Sequence, residues 1–187
     1  MSNPLTLVDI QNNQVAMSDL EKHYDQLFNY ENHRRLALQN AKQIHNSQLS
    51  DDAGNVFGIY HENTFIGLTG LWYENHPVLV DLALLRWTSL CLPYRGLRLS
   101  PYVVSLLSDM AKANKRSMLV EIAHTENAKN TFQHLDFKLV ENNERYIKAL
   151  ITVLGEDNGS FILTKTLVPG FTYDWEGIYD LARTIAK

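Results

Sequence analysis

A turn holding two arginines and a glycine is the part of this sequence best suited to gripping an anion. It lies in the stretch Leu90 to Ala111, LCLPYRGLRLSPYVVSLLSDMA. Leu90, Cys91 and Leu92 form a short apolar run, stopped by Pro93, which cannot donate to a ladder. Tyr94-Arg95-Gly96-Leu97-Arg98-Leu99 makes the turn. Ser100 suits a helix N-cap, and Pro101 suits the first helical position, where a missing N–H costs nothing. Val103, Leu106, Leu107, Met110 and Ala111 then recur with the spacing of one helix face. A helix N-terminus behind a basic turn points unpaired N–H groups and the positive end of its dipole at an anion. The same residues also read as two surface arginines on a polar turn.

Three ionisable side chains have the right settings to move a proton. Glu121 sits inside the apolar run Met118-Leu119-Val120-Glu121-Ile122, where burial raises a carboxyl pKa. His124 lies just beyond that run and titrates near neutrality. Asp81 interrupts the mostly apolar stretch Val78–Leu92. Each more simply reads as a surface or salt-bridged residue, because perturbed groups are not always functional. Cys91, between two leucines, reads as a buried and inert thiol. The chain holds no Walker loop, no Gly-x-Ser-x-Gly, no HExxH and no paired CxxC. Its seven histidines are scattered without ligand spacing, so no metal is expected.

The elements that position these residues can be read from pattern. Leu5–Ile10 reads as a strand and Asn12-Asn13-Gln14 as a turn. Ser18-Asp19-Leu20-Glu21 is a capping box that starts a helix with Leu20, Tyr24, Leu27 and Phe28 buried. A second helix covers His33 to about Asn46, with Ala37, Ala41 and Ile44 inward. Ser50–Gly54 is a turn cluster. Val56–Tyr60 and Thr64–Tyr73 form a hairpin across His61-Glu62-Asn63, with Gly67 and Gly70 marking a bulge or close approach. The central strand lies within Val78–Leu92, and the helix after the basic turn ends near Asn114. Lys138–Val140 begins another strand. Tyr146–Leu154 and Ser160–Leu167 read as a hairpin around the Asn-Gly of residues 155–159. Trp175–Ala186 reads as a terminal helix with Ile178, Leu181 and Ile185 inward. Hairpins mixed with helical crossovers imply an α/β (α+β) fold, a mixed sheet with helices on both faces.

At 187 residues the chain is most simply one domain, with residues 168–187 as a helical extension. A formal charge of -4 argues against sequence-independent nucleic-acid binding. One cysteine cannot form an internal disulfide, which fits a reducing, cytoplasmic setting. No apolar run reaches the length of a membrane span, and the N-terminus lacks the regions of a signal peptide. The terminal helix leaves a homodimer contact open.

The basic turn, with an apolar strand before it and an amphipathic helix after it, resembles the acyl-CoA loop of the GCN5-related N-acetyltransferases, Arg/Gln-x-x-Gly-x-Gly/Ala. Arg95 matches the first position, while Arg98 and Ser100 stand at the two small positions. A second segment extends the resemblance. The family has a strand, Asn-x-x-Ala, a Tyr four residues on, and Gly-Phe. Here Thr125 stands for the Asn, Ala128 matches the Ala, Phe132 replaces the Tyr, and Asp136 replaces the Gly before Phe137. The pattern covers roughly Asn55 to Leu167.

The resemblance implies a mixed, mostly antiparallel sheet and an acetyl-CoA-dependent N-acyltransferase, with acyl-CoA and an amine acceptor as its partners. It places backbone N–H groups of Arg95, Gly96, Leu97, Arg98, Leu99 and Ser100 on the cofactor's pyrophosphate. It places the backbone of Leu90 and Leu92 on the pantetheine arm, and Thr125 and Phe132 beside the cofactor. Arg98 lacks glycine's permissiveness, so a positive φ there is costly, although its guanidinium could meet a phosphate directly. The family's usual general acid is the Tyr that Phe132 replaces. Tyr94, Tyr102 and Tyr146 are substitutes to weigh, and Asp81, Glu121 and His124 are the candidates for a base. The alternatives are a silent module that binds acyl-CoA or another ligand, and a scaffold protein that keeps only the fold.

Overall fold

The computed structural model describes residues 4–11, 13–46, 54–155 and 159–186. The chain forms two compact units: Met1–Tyr73 with Leu85–Leu107, and Glu74–Leu84 with Ser108–Lys187.

In the first unit, β1 (Leu5–Asp9) pairs antiparallel with β2 (Asn55–His61), and β2 pairs antiparallel with β3 (Thr64–Tyr73). Glu62 and Asn63 make the β2–β3 turn, with φ of 47° and 66°. That left-handed pair matches the twist of the strands it joins. The register slips between Ile59 and Tyr60, so Ile59 faces Gly67 while Tyr60 faces Phe65. Ile66 is therefore an extra residue on β3, beside the glycine that the sequence marks for a bulge. Both strand glycines meet close neighbours: a Cβ on Gly67 would lie 2.5 Å from the Ser89 carbonyl oxygen, and one on Gly70 would lie 2.1 Å from the Trp72 ring.

Helix α1 (Gln14–His23) begins four residues before the expected capping box. Asn13 is its cap, accepting from the Ala16 N–H at 3.0 Å, so Ser18 and Glu21 fall inside the helix. Ala16, Met17 and Leu20 make its buried face. The helix tightens into a 3-10 turn at Tyr24–Gln26, which leaves Tyr24 exposed while Leu27 is buried. Helix α2 (Glu31–His45) buries Ala37, Ala41 and Ile44, as its spacing predicts. Of the expected turns, Asn12 and residues 50–53 lie outside the described residues.

Strand β4 (Leu82–Leu90) gives its first three residues to the second unit and the rest to the first. Helix α3 (Ser100–Ala113) is likewise shared. In the second unit, β5 (Met118–Ala123) runs parallel to β4 over Leu82↔Met118, Ala83↔Leu119 and Leu84↔Val120. Its other edge pairs antiparallel along its whole length with β7 (Phe161–Thr166), and β7 pairs with the two-residue β6 (Lys138–Leu139). The sheet order is β1-β2-β3-β4-β5-β7-β6, a mixed and mostly antiparallel sheet. Helix α4 (Glu126–Gln133) follows β5, and α5 (Asn143–Leu154) lies between β6 and β7.

Helix α5 overturns the expected strand at Tyr146–Leu154. Ile147, Ile151, Thr152 and Val153 favour a strand by propensity. Burial instead falls on Tyr146, Ile147, Ala149 and Leu150, a helical face, and Gly155 caps the helix at φ 65°. No hairpin joins this segment to β7, although residues 156–158 of the expected turn lie outside the described residues. Helix α6 (Trp175–Ile185) packs against α5. Glu176 accepts from the Tyr146 hydroxyl at 2.5 Å and from Arg145 at 2.6 Å, and Asp174 caps the helix. Ile178 is buried as expected, but Ile185 is exposed at the fraying end and Ala182 takes the inward position instead.

Candidate functional site

Strand β4 carries a left-handed residue. Trp87 has φ 58° in the middle of the strand, a bulge conformation that bends a strand and re-aims the residues after it. Thr69 and Thr88 join their hydroxyls at 2.9 Å, and the Cys91 N–H donates to the Ile66 carbonyl at 2.8 Å. Because side-by-side residues of a strand point opposite ways, Leu90 presents its backbone to the side away from β3. At its start, Leu82–Leu84 of β4 pair with Met118–Val120 of β5.

Leu92 does not lie on β4. Cys91 leaves the strand, and Leu92-Pro93-Tyr94 forms a 3-10 turn closed by the Tyr94 N–H on the Cys91 carbonyl. Pro93 favours that turn because it has no N–H to give a ladder. The expected extended pairing at Leu92 is therefore replaced by a turn, with Leu92 exposed. Cys91 is enclosed, and burial pushes its thiol up to about 11, against the opposing pull of Arg95. At neutral pH it is a protonated packing group.

The loop after this turn has the backbone of an anion cradle. Gly96 has φ 79° and Arg98 has φ 57°. Open space surrounds Gly96, so its conformation rather than crowding calls for glycine there. Arg98 holds the left-handed conformation without that freedom. Helix α3 starts one residue earlier than the sequence suggests: Leu99 is its cap, accepting from Val103 at 3.3 Å and from Tyr102 at 3.0 Å, with Ser100 as the first helical residue. The N–H groups of Gly96, Leu97, Arg98, Leu99 and Ser100 have no hydrogen-bond partner among the described residues. Successive donors at the start of a 14-residue helix, with no acidic residue in its first turn, suit a phosphate or pyrophosphate. Arg98 is exposed beside them.

Arg95 is placed differently. Its Nε donates to the Leu90 carbonyl at 2.8 Å, one terminal nitrogen donates to Asn29 Oδ1 at 2.7 Å, and the other donates to the Gln26 carbonyl at 3.2 Å. Its guanidinium is bonded to protein groups, and Leu90 already spends one carbonyl lone pair on it. Asn29, Gln26 and Ser89, whose hydroxyl accepts the Phe28 N–H at 3.0 Å, carry no signal in the sequence. Arg95 meets Asn29 and Gln26, and Ser89 meets Phe28, across more than sixty residues of chain, and no local motif reports such contacts.

In the second unit, Glu121 lies on β5, His124 and Thr125 join β5 to α4, and Phe132 lies on α4. Glu121 is half-buried and stands opposite Leu163 of β7, and His124 is exposed just past the strand. Thr125 caps α4, its hydroxyl accepting from the Ala128 N–H at 3.1 Å. Phe132 is buried, edge-on to Phe137 with ring centres 5.2 Å apart. Asp136 takes φ 65° at the position where the resembled pattern has glycine, and pairs with Lys165 at 3.6 Å. Asp81 is not part of this group. Its carbonyl accepts from the Ser117 and Met118 N–H groups and its carboxylate from the Ser117 hydroxyl, at the start of the β4–β5 ladder. Glu121 lies four residues further along β5, roughly 13 Å at the rise of a strand. Of the substitute hydroxyls, that of Tyr146 is taken by Glu176, which together with desolvation raises its pKa. Among the described residues, no cluster of His, Cys, Asp and Glu could hold a metal, and no helix is long and apolar enough to cross a membrane.

Sheet order, helix placement and the bent strand leading into a left-handed loop define the GCN5-related N-acetyltransferase (GNAT) fold, and the chain has that fold. Among solved structures, an acetyltransferase of the GNAT family from Staphylococcus aureus superposes with a TM-score of 0.61 at 9% identity, covering 88% of this chain and 99% of its own. An acetyltransferase from Streptococcus agalactiae gives 0.58 at 17% identity, over 88% and 99%. A spermidine N-acetyltransferase SpeG chimera from Vibrio cholerae and hSSAT gives 0.62 at 12% identity, over 88% and 96%. No family model and no curated protein matches the sequence.

Proposed function

We propose that the chain is an acetyl-CoA-dependent N-acyltransferase that moves an acetyl group directly to a primary amine, of a small molecule or a protein. The observation that carries this reading is the run of unpartnered amides from Gly96 to Ser100 at the start of α3. Those amides hold the cofactor's pyrophosphate, and the Arg98 guanidinium adds a charge-assisted contact. The Leu90 backbone, on the side of β4 away from β3, pairs with the pantetheine arm. When bound, acetyl-CoA supplies the activated acyl group. Thr125 keeps the start of α4 in register, and Glu121 and His124 are the groups that accept the amine's proton, directly or through water. Asp81 serves the ladder start.

One observation favours a second reading. Phe132 is enclosed and has no proton to give, so the usual hydroxyl for the leaving thiolate is missing from its position. A module that binds acyl-CoA without turnover would have the same loop. Calorimetry with acetyl-CoA, then a free-thiol release assay over a panel of amines, decides between them. Binding with amine-dependent thiol release supports the transferase. Binding with no release beyond the uncatalysed rate supports the silent module, and no binding rejects both.

A further inference from the structure

We infer that Arg95 is a positioning residue that ties the segment between α1 and α2 to the anion loop, so that filling the loop fixes that segment. The inference rests on the loop reading above and extends it to the segment between α1 and α2. Arg95 is the residue immediately before the first unpartnered amide, Gly96. Its backbone is set from behind, its own N–H donating to the Leu92 carbonyl and its Nε to the Leu90 carbonyl. The two terminal nitrogens reach Asn29 Oδ1 and the Gln26 carbonyl, 66 and 69 residues away in sequence. A guanidinium is planar, so holding its Nε on Leu90 also fixes where both terminal nitrogens point.

The segment it grips is braced at other points. Phe28 donates its N–H to Ser89 on β4, and its ring stands edge-on to Trp87 at 6.1 Å. Leu27 is buried, and Arg34 of α2 donates to the Asp25 carbonyl at 2.6 Å. Phe28 holds φ 34°, an uncommon conformation for a residue other than glycine, kept by these contacts. A ligand that orders Gly96 and Leu97 therefore orders Arg95, and through it Gln26 and Asn29.

The test is amide hydrogen exchange on the full chain, with and without saturating acetyl-CoA, beside calorimetric affinities. Asn29 is exposed, so its variants do not threaten the core. In the wild type, acetyl-CoA is expected to slow exchange at Leu27 and Phe28. Asn29→Asp keeps an acceptor oxygen and should keep the slowing. Asn29→Ala should lose it while acetyl-CoA affinity stays within about threefold, the weight of one exposed hydrogen bond. Arg95→Lys keeps the charge but cannot bridge both acceptors, and should lose the slowing too. Equal slowing in Asn29→Ala, or none in a wild type that binds acetyl-CoA, overturns the inference and leaves the loop reading standing. A wild type that does not bind acetyl-CoA removes both.

Discussion

Arg98 occupies a backbone conformation that its side chain resists. Its φ of 57° crowds a Cβ against the neighbouring carbonyl. Arg98→Gly should therefore be more stable than Arg98→Ala by about 1 kcal/mol. That difference raises the midpoint of thermal unfolding by roughly 2–4 °C. Both variants should bind acetyl-CoA more weakly than the wild type, because both lose the guanidinium. Equal stability of the two variants would contradict the strained conformation, and unchanged affinity would contradict the phosphate contact. Phe132 poses the opposite question. Phe132→Tyr restores the hydroxyl of the resembled pattern but puts it in an enclosed site against Phe137. It should destabilise by about 1–2 kcal/mol in urea unfolding without raising the rate of thiol release. A faster release would show that the ring edge reaches the reacting atoms. At this scale the residue types are a poor guide and the backbone a better one. Arg98 and Asp136 stand where the pattern has small residues, yet both adopt the left-handed conformation expected of glycine there. The role of Arg95 is not legible in the sequence, because the partners that capture its guanidinium lie on a distant segment.

At the scale of elements, β3 and β4 approach each other across Gly67. Gly67→Ala would drive a Cβ to 2.5 Å from a backbone oxygen of Ser89, which cannot swing aside as a side chain tip can. The substitution should destabilise by about 2 kcal/mol, measured by chemical unfolding, with a stable Ala variant as the contrary result. Period-two alternation and turn residues make β1, β2 and β3 readable, and helical spacing does the same for α2 and α3. Helix α5 reads wrongly as a strand because its β-branched residues obey strand propensity while its burial obeys a helical period. Burial against α6 decides the outcome, and a partner helix near the C-terminus is not visible in a window of ten residues. The start of α1 is misplaced in the sequence because Asn13, which reads as part of a turn, caps the helix through its side chain, and the Ser18–Glu21 pattern falls inside it.

For the whole molecule, the succession of hairpins and crossovers implies a mixed sheet with helices on both faces, and the structure gives its order, β1-β2-β3-β4-β5-β7-β6. The molecule carries a net charge of -4, so an anion site on it must be a local arrangement of donors rather than a product of overall charge. The central claim is that the amides Gly96 to Ser100 are that arrangement. The most direct measurement tracks backbone amide resonances of the full chain during an acetyl-CoA titration. The expected result is saturable shifts centred on Gly96, Leu97, Arg98, Leu99 and Ser100, smaller in Arg98→Ala. Unmoved loop amides, whether acetyl-CoA binds elsewhere or not at all, would contradict it.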